Sequence, residues 1–137
     1  MQFSGAMAAP FTPFDDKGEV DVSQIPAYLA YLVDIRVDGL YICGTTGEGY
    51  SLTHDEKVAI VKAWRQAIDT QKADHLLAVV NVSSTCLKES LLLSKHVESH
   101  GFDAIAVLPP IYHKPTTVDE WVNYMKAFGR AASTIPL

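Results

Sequence analysis

The chain has no basic run or stripe: its 11 lysines and arginines are outnumbered by 16 aspartates and glutamates, for a formal charge of −5. That balance argues against nucleic acid and against an anionic membrane surface as partners. No apolar stretch is long enough to span a bilayer. Met1-Gln2-Phe3-Ser4-Gly5 lacks the basic flank and long apolar segment of a secretory signal. Cysteine is scarce, with only Cys43 and Cys86 and no C-x-x-C pair. Two buried or neutral thiols in a reducing cytosol are expected. Two phosphate-binding signatures are also missing. The loop after the first apolar segment reads Pro10-Phe11-Thr12-Pro13 where a dinucleotide-binding sheet needs G-x-G-x-x-G, and no Gly-Lys-Ser/Thr closes a P-loop.

What is present is apolar and periodic. Nearly half of the 137 residues are apolar (48%), enough for a core in one small domain or in part of a larger one. Gly5–Ala9 reads as a short strand stopped by prolines. Asp21 is an N-cap with Gln24 as its reciprocal partner, and Ile25, Leu29, Leu32 and Val33 follow at helical spacing. After a strand that begins at Gly39, Thr53-His54-Asp55-Glu56 forms a capping box. The helix it opens carries Val58, Val61, Trp64 and Ile68 on one face. Leu76–Val80 is a third strand. A third helix runs from Cys86 to Ser99 with Leu87, Leu91 and Leu92 on its apolar face, and Gly101 ends it. Ala104–Leu108 is a fourth strand, stopped by Pro109-Pro110. A second capping box, Thr117-Val118-Asp119-Glu120, opens a fourth helix carrying Val118, Trp121, Val122, Met125 and Phe128. Thr134-Ile135-Pro136-Leu137 stands where a fifth strand is due.

Strand and helix therefore alternate with a unit of roughly 30 residues, the size of a βαβ element. Short, uniformly apolar strands separated by helices imply a parallel sheet in an α/β fold. A doubly wound sheet and a (β/α)₈ barrel both fit that pattern. The segments after the strands are rich in polar and aromatic groups: Phe11-Thr12, Thr45-Thr46, Asn81 with Ser83-Ser84, and Ile111-Tyr112-His113-Lys114. Barrels carry their sites there, and a complete barrel needs about 250 residues. The expected fold is the first four (β/α) units of a barrel, with residues 1–137 forming the N-terminal half of one domain.

The stretch most suggestive of chemistry is Gly39-Leu40-Tyr41-Ile42-Cys43-Gly44-Thr45-Thr46-Gly47-Glu48, a buried strand ending in two glycines that bracket two threonines. The glycines let the chain turn sharply and expose its amides. Two hydroxyls with free backbone N–H groups can make a pocket for a small anion such as a carboxylate; a tight strand-to-helix turn with nothing bound fits the same residues. Glu48 is expected to accept backbone N–H bonds at the following helix. His96 and His100, at i, i+4 near a helix end, complement the helix dipole rather than ligate a metal. Trp64 and Trp121 are expected in the core.

Four motifs carry a resemblance over essentially the whole chain: Ala9-Pro10-Phe11-Thr12-Pro13-Phe14, Asp38-Gly39-Leu40-Tyr41, Gly44-Thr45-Thr46-Gly47-Glu48, and Gly101-Phe102-Asp103-Ala104 leading to Pro109-Pro110-Ile111-Tyr112. With these the chain resembles the pyruvate-dependent aldolase/lyase family that contains N-acetylneuraminate lyase and dihydrodipicolinate synthase. Glu48–Leu52 and Val82-Ser83-Ser84-Thr85 with Glu89-Ser90 look like the lyase branch, which implies cleavage of N-acetylneuraminate to pyruvate and N-acetylmannosamine.

The resemblance implies class I aldolase chemistry through a lysine Schiff base, without metal or organic cofactor, in a cytoplasmic homotetramer. It implies that Thr45 and Thr46 bind the carboxylate of a 2-keto acid or sialic acid. It also implies that Tyr112 acts as a proton relay or a neighbouring-subunit contact. The Schiff-base lysine and its tyrosine partner are expected beyond Leu137, so no catalytic residue is assigned within the chain, and Lys114 is not expected to substitute. A dihydrodipicolinate synthase-type aldolase is the alternative within the family. A catalytically inactive truncated half-barrel is the alternative of another class.

Overall fold

A computed structural model describes residues 3–137. Four strands, β1 (Met7–Ala8), β2 (Gly39–Ile42), β3 (Leu77–Asn81) and β4 (Ala104–Ala106), form one parallel sheet in the order β1-β2-β3-β4. Helices α1 (Ile25–Asp34), α2 (His54–Gln71), α3 (Leu87–Ser99) and α4 (Val118–Ala131) alternate with them, and a 3₁₀ turn, Val22–Gln24, precedes α1. A doubly wound sheet reverses its strand order at a switch point. This sheet does not, and each helix packs on the next.

The register shows which face the helices cover. Leu40 pairs with Ala78, Ile42 with Val80, and Val80 in turn with Ile105; all five side chains are buried in one core with Ile25, Leu29, Trp64, Ile68 and Val97 from the helices. The alternate row, Tyr41, Leu77, Val79 and Ala106, is only half-buried because no helix lies on that side. Successive residues of a strand point to opposite faces, so the second face is the wall of an open barrel. After α4 the chain returns to the sheet, where the Ile105 N–H donates to the Pro136 carbonyl oxygen at 3.0 Å. The fold is thus the first four units of a (β/α)₈ barrel.

Both capping boxes form. Thr53 accepts from the Glu56 N–H while its own N–H donates to the Glu56 carboxylate at 2.7 Å, and Thr117 and Glu120 repeat the exchange. Such caps stabilise a helix by about 1 kcal/mol each. Asp21 caps the 3₁₀ turn through the Ser23 N–H. Gln24 does not close a reciprocal box; its amide donates to the Asp21 carboxylate at 3.1 Å.

The apolar faces of the last two helices differ from expectation. In α3 the buried residues are Ser90, Leu93, Ser94 and Val97, whereas Leu87 and Leu92 are exposed, the latter at 57%. Ser94 is accommodated because its hydroxyl donates to the Ser90 carbonyl oxygen at 2.7 Å. In α4 only Phe128 is buried; Val118 is 76% exposed, and Trp121 stacks on Tyr124 at 5.7 Å without entering the core. Strand β4 ends at Ala106, two residues early, because the Leu108 N–H is taken by the Ser83 hydroxyl. Among the described residues no helix is long and apolar enough to cross a membrane.

At the opposite end of the sheet two aspartates make the same two-way clamp. The Asp38 N–H donates to the Ala6 carbonyl while its carboxylate accepts from the Ala6 N–H at 2.8 Å. Asp103 does the same to Ala78, with the carboxylate contact at 2.7 Å. Each clamp fastens a strand to its predecessor where ladder pairing runs out. Asp103→Ala leaves the buried Ala78 N–H unpaired and is expected to cost about 1–3 kcal/mol, measured as a lowered urea midpoint. An unchanged midpoint would show the clamp to be energetically idle.

Candidate functional site

Strand β2 delivers the Gly44–Gly47 turn to the end of the sheet that carries sites in barrels. The turn is closed by the Glu48 N–H to Thr45 carbonyl bond at 3.0 Å and the Gly49 N–H to Gly44 carbonyl bond at 3.1 Å. Thr45 and Thr46 are exposed at its crest, between buried Gly44 and Gly47. The reason for the glycines differs from expectation. The left-handed backbone positions are Cys43 (φ 55°) and Glu48 (φ 53°), not the glycines. Gly44 and Gly49 are needed for space: a Cβ at Gly44 would stand 2.6 Å from the Tyr41 ring, and one at Gly49 would overlap the Cys43 carbonyl oxygen. Glu48 therefore contributes its backbone; the carboxylate that accepts a helix N-terminal amide is Glu56.

Neighbouring loops are stitched to this turn. The buried Thr12 hydroxyl, from the loop after β1, donates to the Gly47 carbonyl oxygen at 2.7 Å. Asn81, at the end of β3, donates through Nδ2 to the Cys43 carbonyl oxygen at 3.0 Å. Its Oδ1 accepts from the Ser83 N–H at 3.2 Å and the Ser83 hydroxyl at 2.7 Å. Ser83 Oγ in turn accepts from the Leu108 N–H after β4 at 2.7 Å. From behind the sheet, the Lys57 ammonium on α2 donates to the Ser83 carbonyl oxygen at 3.1 Å. All four strand-end loops are thus tied together through buried hydrogen bonds, which hold Thr45 and Thr46 on a rigid base.

Sequence reasoning missed Lys57 and the roles of Tyr41 and Asn81. A lysine at a buried helical position is unusual, and Lys57, one turn before Val61 in the α2 face, carried that signal. Tyr41 lies two residues before Cys43 on the open face, at a position that strand alternation assigns to the barrel wall.

The electrostatics follow burial. Burial pushes the Cys43 thiol up to about 12, opposed by the nearby Lys57 charge. Burial lowers the Lys57 pKa, offset by Cys43 and Glu89. Both cysteines are free; Cys43 is buried and Cys86 exposed. A thiol reagent is expected to label Cys86 at once and Cys43 only on unfolding. Because the folded Cys43 pKa exceeds the unfolded value of 9.0, its contribution to stability is intact below pH 9 and lost as pH rises toward 12. By pH 10 the loss is on the order of 1 kcal/mol. Lys57 acts with the opposite sign below 10.5, so the measurement is the difference between wild type and Cys43→Ala in urea midpoints at pH 7 and 10. Equal slopes would contradict a protected thiol.

Tyr112 does not join the turn. It is 86% exposed on the loop after β4, with its ring edge-on to His113 at 4.8 Å. Lys114 is exposed beside an open apolar cleft of about 720 Å³, lined by Pro109, Ile111, Val118 and Trp121 but not by Thr45 or Thr46. The His96 and His100 rings lie 4.1 Å apart, with His100 Nδ1 at 2.8 Å from the His96 carbonyl oxygen. Among the described residues no three His, Cys, Asp or Glu side chains gather as a metal site would require.

This architecture recurs in related proteins. N-acetylneuraminate lyase of Sus scrofa is 35% identical over 136 residues, covering 98% of this chain and 42% of the relative. The 4-hydroxy-tetrahydrodipicolinate synthase of Moorella thermoacetica is 34% identical, covering 100% and 45%. The structure of Proteus mirabilis N-acetylneuraminate lyase superposes with a TM-score of 0.91 at 29% identity, over 98% of this chain and 44% of that one. The chain spans less than half the length of the relatives it matches. Residues 2–136 match the profile of the dihydrodipicolinate synthetase family. With near-complete coverage by that profile and more than one-third identity to a curated relative, the chain is a member of the dihydrodipicolinate synthetase family.

Proposed function

We propose that residues 1–137 are the N-terminal half of a single (β/α)₈ domain of a class I aldolase that cleaves N-acetylneuraminate to pyruvate and N-acetylmannosamine. In this reading Thr45 and Thr46 are the carboxylate clamp. The observation that carries it is the crest of the β2 turn: two exposed threonines on a base held by buried hydrogen bonds from both neighbouring loops. Two hydroxyl donors fix the carboxylate and so orient the adjacent ketone carbon. Such positioning removes much of the entropic barrier to attack by an amine.

The nucleophilic lysine and the proton-transferring tyrosine belong to the remainder of the barrel. The lysine amine adds to the ketone and water leaves, giving an iminium. The carbon–carbon bond then breaks with its electron pair drawn into the iminium, leaving an enamine. Neither metal nor organic cofactor takes part. The exposure of Tyr112 supports a reading as a contact or proton relay offered to a neighbouring subunit of a cytoplasmic homotetramer. The similarity to the Moorella synthase supports a second reading, a dihydrodipicolinate synthase-type aldolase, which shares pyruvate and the clamp but uses another acceptor.

The test is a titration of the 137-residue chain with pyruvate, followed by amide NMR and then by borohydride reduction and mass measurement. Shifts confined to the Thr45–Thr46 turn without a covalent adduct are expected. Shifts elsewhere would refute the clamp, and a stoichiometric adduct on Lys114 would refute a nucleophile in the other half of the barrel.

A further inference from the structure

Among the described residues Lys57 is the one buried charged side chain, at 5% exposure. Burying an ammonium costs several kcal/mol, and an apolar side chain of similar length is often neutral or better for stability in such a place. Helix α2 has core-filling neighbours in Ile60, Val61 and Trp64, so packing alone gives no reason for a cation there. What the ammonium does touch is specific. It donates to the carbonyl oxygen of Ser83, the residue through which the loops after β3 and β4 are joined. One step further, Asn81 holds the Cys43 carbonyl at the root of the Gly44–Gly47 turn.

We propose that Lys57 is a positioning residue for the carboxylate-binding turn. Its buried ammonium anchors Ser83 and, through Ser83 and Asn81, fixes the Cys43 carbonyl from which Thr45 and Thr46 are presented. This rests on the reading of Thr45 and Thr46 as the clamp.

The experiment compares wild type, Lys57→Met and Lys57→Arg in the 137-residue chain, by amide hydrogen exchange without ligand and by pyruvate titration. In Lys57→Met the amides of Glu48, Gly49, Ser83 and Leu108 are expected to exchange about tenfold faster, with those of α1 unchanged. Pyruvate affinity should fall about tenfold through the loss of a fixed turn. Lys57→Arg keeps a donor and a charge and should restore both. Asn81→Ala breaks the next link without disturbing the charge, and should accelerate Glu48 and Gly49, together with Ser83, whose N–H it also holds, even if Lys57→Met does not fold. Unchanged exchange in Lys57→Met, or in Asn81→Ala where Lys57→Met is unfolded, overturns the proposal. So does faster exchange with unaltered pyruvate affinity. If pyruvate does not bind wild type, the clamp reading fails, and the exchange rates still decide whether Lys57 holds the turn.

Discussion

Gly49→Ala is expected to abolish the β2 turn as it stands. An added methyl would overlap the Cys43 carbonyl oxygen, which is backbone and cannot swing away. That same oxygen accepts the Asn81 amide at 3.0 Å, and the Gly49 N–H closes the turn on Gly44 at 3.1 Å. Relieving the overlap therefore breaks two further bonds. The expected cost is roughly 3 kcal/mol or more, at the upper end for overpacking. It should be read as a large drop in urea midpoint and loss of the pyruvate-dependent NMR shifts. Gly129 is the internal control: it lies in α4 with nothing within 4 Å of an added Cβ. Gly129→Ala is expected to stabilise by about 0.5–1 kcal/mol. Equal effects at the two positions would show that contact with Cys43 is not what keeps a glycine at 49.

Replacing Thr45 and Thr46 together with valine is expected to weaken pyruvate binding by about a hundredfold or more. A hydrogen bond to a charged group contributes about 1.5–3 kcal/mol, so two lost hydroxyl donors account for at least that factor. Valine preserves shape, and both residues are exposed at the crest of the turn, so the urea midpoint should move by less than about 0.5 kcal/mol. Binding and stability are thereby separated: Gly49→Ala removes both, and the valine pair removes only binding. Wild-type affinity in the valine pair would refute the clamp.

Some of this was written locally and could be read without tertiary structure. The alternation of short apolar strands with amphipathic segments depends on near-neighbour periodicity, as do the two capping boxes at Thr53 and Thr117. The turn after β2 was visible because a glycine-threonine cluster interrupting an apolar run has few other uses. Misreadings arose where a helix faces something other than the general core. Leu87 and Leu92 looked like the buried stripe of α3, but that helix turns Ser90 and Ser94 inward; the Ser94 hydroxyl returns to the backbone, whereas the Ser90 hydroxyl has no partner among the described residues. Val118 and Val122 of α4 looked buried and are exposed; the apolar pattern is real, but no neighbour among the described residues covers it.

The sequence by itself determined the order of the elements, their caps and the place of the threonine turn, because each is set by contacts within a few residues. Only the tertiary structure decided why Gly44 and Gly49 must be small, which strand face is walled by helices, and how Lys57, Asn81, Ser83 and Thr12 hold the turn. Those are contacts between side chains and backbone 25 to 38 residues apart. No local pattern encodes such pairs; closing the sheet in the order β1-β2-β3-β4 brings them together.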